Sequence, residues 1–312
     1  MPAFRTPSFL IQMLFCSLLW ALGFPLIKII GADVTPWPLA AMRGILGSLA
    51  LALWFAARGT PLRPHGREWR DWIVLGLFQG CLPNVLIAVA VAHIPSGLAS
   101  MIEAGCPLLV AVVAHRLYAD ERLDARRLAG LLVGFSGMTI LLWPSAVSDA
   151  GETSLVGVLA ALGGAVSYAF GNLYVRAIPA MDPSRLAFGQ QLFSGLPALG
   201  LALAEGGPGA FAGVPEHVGA LLVFGLLATA LPMLTYMHLF RLAGPTLAST
   251  IGYLIPVWTV IIGIVFLDET IAASAILGGG VVLAGVAVVS RRKASLKPAR
   301  PGRGLPKEAG TP

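Results

Sequence analysis

Charged residues are unusually few in this sequence. Only 12% of its 312 residues are Asp, Glu, Lys or Arg, about half of the ~25% that soluble domains carry. With 57% hydrophobic residues and a mean hydropathy of +0.82, the chain does not resemble a soluble globular protein. Apolar runs of ~20 residues cross the ~30 Å hydrocarbon core of a bilayer as helices, and the alternating polarity of a membrane β-barrel is missing. The composition therefore predicts an all-α polytopic membrane protein.

Cysteines and enzyme signatures are also scarce. The three cysteines, Cys16, Cys81 and Cys106, all fall within apolar segments, so we expect neither a disulfide framework nor a zinc site. The sequence has no phosphate-binding loop, nucleotide-binding glycine motif, metal-ligand spacing or nucleophile elbow. We therefore expect no enzyme activity, no cofactor and no metal. ATP-driven transport would need a separate subunit.

Hydrophobic segments predict ten membrane spans. The first run follows Arg5, but it is too long for a signal peptide and has no convincing small-residue cleavage site, so it counts as a span. The predicted intervals are 9–31, 36–57, 72–94, 97–118, 128–147, 155–175, 186–204, 218–240, 246–267 and 271–290.

Basic residues lie on one side of the predicted bundle. All but two of the 21 Lys and Arg residues fall at the N-terminus, in or beside alternate loops, or in the tail 291–312, whereas the intervening loops carry acidic residues. Lys and Arg are enriched in cytoplasmic loops, so we expect an inner-membrane protein with both termini in the cytoplasm. The net charge of +6 then suits contact with anionic lipid. The bilayer is an expected partner, and nucleic acid is not.

An internal repeat divides the chain in two. At an offset of 149 residues, Pro83 aligns with Pro232 and Pro107 with Pro256. Each half holds five predicted spans, an odd number, so the second half enters the membrane from the opposite side. We expect an inverted-topology repeat of residues 1–147 and 148–290, followed by a disordered basic tail, 291–312. Such repeats are common in secondary transporters, because exchanging the shapes of the halves exposes a central site to each side in turn.

Three charged residues, Lys28, Arg43 and Glu103, lie within predicted spans. A charge at the bilayer centre costs ~2.5–3.5 kcal/mol on insertion scales, so such residues usually face a cavity or a partner. Glu103 shares a helical face with Ser100 and Pro107. It binds substrate or a proton together with Arg43 or Lys28, forms a structural ion pair that fixes helix contacts, or is partly exposed to the outer interface. Lys28 could also extend to the outer headgroups.

Other polar and aromatic residues are candidates for the wall of a substrate cavity. Helix packing and interhelical hydrogen bonding are the alternative roles. The candidates are Trp20, Phe24, Asn84, Ser100, Tyr168, Asn172, Gln190, Gln191, Ser249, Thr250 and Tyr253.

Prolines within spans remove a backbone donor and break or kink helices. We expect helix breaks around the pathway at Pro83, Pro107, Pro232 and Pro256. The glycine spacings of spans five and ten instead suit close helix contact. They indicate a scaffold or a homodimer surface.

Several motifs carry a family resemblance: Leu19–Phe24 with Lys28, Pro38–Arg43, Gly97–Ser100 with Pro107, and Glu121 with Gly130 and Gly137, the last set being repeated around Glu269. On these motifs the chain resembles the EamA-type transporters of the drug/metabolite transporter superfamily over residues 10–290. The resemblance implies a carrier of small metabolites, often amino acids, commonly moved outward. It also implies a central cavity between the halves, with spans five and ten outside it. Glu103 matches no general family motif.

Taken together, the sequence predicts a secondary-active permease that exports a small polar, amino-acid-like metabolite by alternating access. Within transport, the alternatives are an importer or a channel. From another class, the alternatives are an intramembrane enzyme and a membrane sensor that does not transport.

Overall fold

The computed structural model describes residues 7–94, 96–147, 154–178, 182–267 and 273–290. The predicted tail 291–312 lies outside these residues. The described chain contains no strand and folds into helices α1 (Pro7–Ala21), α2 (Gly23–Ile30), α3 (Pro36–Ala57), α4 (Glu68–Gly76), α5 (Leu82–His93), α6 (Ser96–Glu103), α7 (Cys106–Leu117), α8 (Ala125–Val147), α9 (Leu155–Ala177), α10 (Pro183–Gly206), α11 (Val218–Gly225), α12 (Leu231–Ala243), α13 (Pro245–Ser249), α14 (Ile251–Leu267) and α15 (Ala273–Ser290).

Short irregular helices join some of these elements. A π-helical turn, Leu77–Cys81, links α4 to α5, and a second, Leu226–Ala230, links α11 to α12. Three 3₁₀ helices lie in the connections, at Ala119–Glu121, Gly207–Phe211 and Val214–His217.

Eight helical segments of the described chain are long and apolar enough to cross a membrane. They are Ser8–Ile27, Pro36–Ala57, Leu98–Leu117, Ala125–Pro144, Leu155–Ala177, Pro183–Phe211, Val214–Ala243 and Pro245–Ile262. A shorter apolar helix covers Ile276–Ser290. The predicted interval 72–94 is occupied by α4, the first π turn and α5, which are not among the eight. The all-helical, multi-span architecture predicted from composition is therefore present.

Contacts between the segments that connect the helices define the two ends of the helix bundle. At one end, Arg185 donates to the main-chain oxygens of Pro61 and Arg63, and Arg176 pairs with Asp120. We call this the basic end. At the other end the connection after α2 meets the 3₁₀ helix before α11, and we call this the acidic end.

Glycines bring α8 and α15 into direct backbone contact. A Cβ atom on Gly285 would collide with the backbone of Gly134, and one on Gly278 would approach the Leu141 nitrogen to 2.5 Å. The small-residue faces of these two helices therefore pack against each other within one chain. A homodimer through spans five and ten would have to use other faces of these helices.

This packing predicts a clear difference between two glycines of α15. Gly285→Val should destabilise the protein by about 1–3 kcal/mol, the usual cost of overpacking, because the added methyl groups have no room beside Gly134. Gly280→Val is the matched control, since a Cβ at Gly280 meets nothing within 4 Å. Thermal unfolding of the detergent-solubilised variants measures both effects. Equal melting temperatures for the two variants would contradict the packing described here.

Candidate functional site

Two of the predicted spans are interrupted within polar stretches. α6 ends at Glu103 and α7 begins at Cys106. Pro107 is the second residue of α7 and has no N–H, so it cannot bond the main-chain oxygen of Glu103 four residues earlier. The second interruption separates α13 from α14 at Thr250. α14 continues through Pro256, so this span is interrupted before the proline at which we expected a break.

The carboxyl group of Glu103 has no partner among the described residues. Its side chain is half-buried, and no hydrogen bond or ion pair joins it to another described residue. The described structure therefore contains no Glu103–Arg43 ion pair. The side chain of Lys28, the other expected partner, lies outside the described residues. A half-buried carboxyl group without a counter-charge is suited to binding a cationic group or a proton.

Arg43 on α3 is held in place without an acidic partner in the described chain. Its Nε lies 3.3 Å from Oγ1 of Thr229 in the second π turn. Its guanidinium lies 5.4 Å from the ring centroid of Phe224, within cation–π range. Neither contact uses the two terminal nitrogens of Arg43, and these nitrogens have no hydrogen-bond partner among the described residues. The threonine and the ring fix the position of the cation, and the terminal nitrogens remain able to bind an anion bidentately.

Tyr168 on α9 lies within electrostatic reach of both charges. It interacts with Glu103 and with Arg43, and its hydroxyl donates to Oδ1 of Asn84 on α5 at 3.3 Å. We call Arg43, Asn84, Glu103, Tyr168 and Thr229 the charged region. Elements from both halves of the chain contribute to it.

A second polar group, the amide cluster, consists of Gln79, Asn172, Gln190 and Tyr236. Nε2 of Gln79 and the hydroxyl of Tyr236 donate to Oδ1 of Asn172 at 2.6 and 3.2 Å. Nε2 of Gln190 donates to the main-chain oxygen of Gln79 at 3.1 Å. All four side chains are buried. The cluster thus ties the first π turn to α9, α10 and α12.

Pro83 accounts for two open main-chain acceptors beside this cluster. Proline has no N–H, so the oxygens of Phe78 and Gln79, five and four residues earlier, receive no helical bond from it. Ser167 Oγ donates to the main-chain oxygen of Phe78 at 2.8 Å, and Gln190 Nε2 donates to that of Gln79. Side chains of the second half therefore satisfy main-chain groups that the first half leaves open.

Sequence reasoning named Asn172 and Gln190 but missed Gln79 and Tyr236. Gln79 carried a signal, because it is an amide in an apolar span, four residues before an internal proline. Tyr236 had no such signal. Trp20 lies beside the cluster, with its ring centroid 4.9 Å from that of Tyr236 in an edge-on arrangement.

Several predicted candidates lie in packing positions. Ser249 and Thr250 donate their hydroxyls to the Thr246 and Leu247 oxygens of their own helix. The Tyr253 ring lies close against Gly134 and is 1% exposed. Gln191 is buried, with its side chain near Gly47.

Three candidates remain on the first and fourth spans. Ser100 is half-buried on α6, three residues before Glu103. Phe24 and Lys28 belong to α2, but their side chains lie outside the described residues. The proposed roles of Ser100, Phe24 and Lys28 therefore stay predictions.

Paired polar side chains join the two halves at both ends of the bundle. At the basic end Arg185 binds Glu68 through two hydrogen bonds, Nε–Oε1 at 3.0 Å and Nη2–Oε2 at 2.6 Å. The hydrogen bond from Arg185 holds the pKa of Glu68 below its usual range. At the acidic end His217 Nε2 lies 2.8 Å from Asp33 Oδ2. We call these the basic-end pair and the acidic-end pair.

The fold and the polar regions define a multi-pass helical membrane protein. The model of the EamA-like transporter family matches residues 8–143 and 155–291. The chain therefore belongs to the EamA-like transporter family, as its motifs predicted.

Proteins named as transporters match nearly the whole chain. The chain is 26% identical over 291 residues to the uncharacterized transporter YvbV of Bacillus subtilis, covering 92% of this chain and 93% of that protein. It is 26% identical over 294 residues to the uncharacterized inner membrane transporter YedA of Escherichia coli K12, covering 91% and 90%. A WAT1-related chloroplastic protein of Arabidopsis thaliana is 27% identical over 283 residues, 87% of this chain and 66% of that protein.

A solved structure supports the fold. A crystal structure of another protein superimposes with a TM-score of 0.75, covering 92% of this chain and 99% of that one, at 20% sequence identity. At this identity the likeness concerns the fold alone.

The basic-end pair predicts a pH-dependent effect of Arg185→Gln. A carboxyl group with a lowered pKa stabilises the folded state above its unfolded pKa, about 4.3 for Glu, and loses this contribution as the pH falls through the folded value. Arg185→Gln should therefore lower the melting temperature at pH 7.5 by about 2–4 °C. The difference from wild type should shrink towards pH 3.5. Arg116→Gln, at an exposed arginine of the same end, is the control, and a pH-independent Arg185→Gln effect would contradict the assignment.

Proposed function

We propose that this protein is a secondary-active carrier of a small zwitterionic metabolite, amino-acid-like in its charged groups, and that it works by alternating access. The observation that carries the proposal is the state of Arg43 and Glu103. Opposite charges occur in the same charged region, neither is fully exposed, and neither has an oppositely charged partner among the described residues. A ligand with one anionic and one cationic group would compensate both.

The chemistry of the region favours a carboxylate at Arg43. A guanidinium held through Nε presents its terminal nitrogens as a planar fork, which matches the two oxygens of a carboxylate. Glu103 would then accept the ammonium group of the same molecule. Tyr168 and Asn84, hydrogen-bonded to each other, lie within the same region and could orient the neutral part of the ligand.

Alternating access is supported by the equivalence of the two halves. The π turns Leu77–Cys81 and Leu226–Ala230 lie 149 residues apart, and each precedes a Leu-Pro pair. The helix interruptions at 104–105 and 250 fall at nearly equivalent positions. α10 packs on α4 as α3 packs on α11, and α9 packs on α5 as α1 packs on α12. These correspondences are what two inverted five-span repeats would produce.

The proposed topology places ten spans in the membrane. It adds α4–α5 and α15 to the eight segments described above. The distribution of Lys and Arg supports placing the basic end and both termini in the cytoplasm of a cell whose inner membrane holds the protein. We propose export as the physiological direction, with a proton on Glu103 as the exchanged species.

The proposal predicts that substitutions of Glu103 and of Arg43 have different effects on transport. Glu103→Gln should abolish transport driven by a pH gradient while the protein stays folded, because the proton-binding group is lost. Arg43→Gln should lower kcat/KM about 10- to 100-fold, the range for a lost hydrogen bond to a charged group. Glu205→Gln, at an exposed acid, is the control.

The substrate is found first by comparing metabolites excreted by cells with and without overexpression of the protein. Transport of the metabolite so identified is then measured in proteoliposomes. Full pH-driven activity of Glu103→Gln would overturn the proton role. Ligand binding without any movement across the membrane would favour a sensor, and flux without saturation would favour a channel.

A further inference from the structure

Two carbonyl oxygens of the amide cluster have no hydrogen-bond donor in the described chain. They are Oε1 of Gln79 and Oε1 of Gln190, on side chains that are 4% and 2% exposed. A buried acceptor without a donor costs free energy, and the large majority of buried polar atoms in folded proteins are hydrogen-bonded. Two such oxygens in one cluster therefore point to a donor that comes from outside the chain.

The orientation of the Gln190 amide follows from its hydrogen bond. Its Nε2 donates to the main-chain oxygen of Gln79 at 3.1 Å. A main-chain oxygen only accepts hydrogen bonds, so Oε1 of Gln190 cannot take the place of Nε2. Nε2 of Gln79 donates to Oδ1 of Asn172, which also accepts from the hydroxyl of Tyr236. Both glutamines thus use their nitrogen within the cluster, and each has one acceptor left for a ligand.

Glycines hold the two glutamines in fixed positions. A Cβ atom on Gly171 would come within 2.7 Å of Cβ of Gln79. One on Gly80 would lie 2.6 Å from Cβ of Ser194 and 3.0 Å from Nε2 of Gln190. The first π turn therefore packs directly on α9 and α10, which restricts the movement of both amides. Acceptors that are held in place discriminate between ligands better than mobile ones.

The amide cluster adjoins the charged region. Asn172 follows Tyr168 by one turn of α9, a rise of about 6 Å. Nδ2 of Asn172 lies 3.9 Å from Sγ of Cys106, and Cys106 follows Glu103 by three residues. A small zwitterion with its charged groups at Arg43 and Glu103 would therefore have its neutral end close to the cluster.

We propose that the amide cluster selects the neutral end of the transported zwitterion, and that this end carries a hydrogen-bond donor, either a hydroxyl or a primary amide. Oε1 of Gln79 and Oε1 of Gln190 accept from that donor. This inference rests on the proposed zwitterion carrier and narrows the class of its substrate. An apolar group of the same size would leave both oxygens unpaired and would bind more weakly.

The test measures binding by isothermal titration calorimetry on the detergent-solubilised protein. Two pairs of zwitterions of matched size are compared: threonine with valine, and glutamine with the γ-methyl ester of glutamate. The first member of each pair carries a side-chain donor, and the second lacks it. In one pair or both, wild type should bind the first member about tenfold more tightly, because the second leaves a buried acceptor unpaired.

Substitution of either glutamine should remove this preference. Gln79→Met and Gln190→Met delete the acceptor at similar side-chain length, so each variant should bind both members of a pair equally. Binding of valine and of the ester, which uses no acceptor, should stay as in wild type and shows that the variants are folded. Gln12→Met is the matched control and should keep the preference. Oε1 of Gln12 is also unpaired, but it lies on α1, eight residues before Trp20 and about 12 Å away along the helix.

The outcomes separate this inference from the proposed function. Equal binding of both members of both pairs by wild type, or a preference that persists in both glutamine variants, would overturn the inference and leave the zwitterion carrier unaffected. No binding of any of the four compounds would contradict the proposed function, and the inference with it. Because amide oxygens also bind metal cations, the titrations are repeated without sodium. A sodium-dependent rise in affinity that is equal for both members of each pair would assign the oxygens to a cation and overturn the inference.

Discussion

A main-chain oxygen inside the hydrocarbon core has no water to bond, and a proline in the interior of a span leaves such an oxygen without its helical donor. Much of the interior depends on how these oxygens are satisfied. Pro83 can donate to neither the Phe78 oxygen nor the Gln79 oxygen at the π-helical turn, and Ser167 and Gln190 donate to them instead. Two polar side chains of the second half thus meet a hydrogen-bonding requirement of the first half. That requirement places a hydrogen-bonded cluster in the interior of an apolar protein.

The scaffold is nearly symmetric, but its charges are not. Gly252 is the repeat equivalent of Glu103, is exposed, and has open space where a side chain would begin. At an offset of 148 residues, one less than that of the prolines, Gln191 corresponds to Arg43, and Gln191 is buried against Gly47. Within the described residues the halves therefore share helix interruptions and packing, and both charges of the charged region, Arg43 and Glu103, lie in the first half. In the proposed carrier, the symmetric scaffold would serve two alternating states, and the asymmetric charges would give the ligand one orientation.

The sequence allowed much of this architecture to be predicted, because apolar length and proline position are local properties. Helices lie at the predicted intervals within the described chain. Pro107 stands at the start of the helix that follows an interruption, whereas Pro83 and Pro232 are each the second residue of a helix that follows a π-helical turn. Pro256 differs because the span is interrupted at Thr250 instead. Gln79 and Tyr236 were missed since their importance comes from contacts with residues 93 and 64 positions away. Ser249, Thr250 and Tyr253 have suitable chemistry, but their hydroxyls and rings are directed into helix packing, which composition alone does not reveal.

The central claim is that Arg43 and Glu103 bind a zwitterion, and that a scaffold with two conformations carries it across the membrane. Counterflow tests it most directly: proteoliposomes are loaded with an unlabelled zwitterionic metabolite, and uptake of the labelled compound is followed without any ion gradient. The account predicts a transient, saturable overshoot that an excess of the same zwitterion suppresses and its methyl ester, which lacks the carboxylate, does not. Uptake without an overshoot, or equal suppression by the ester, would contradict it.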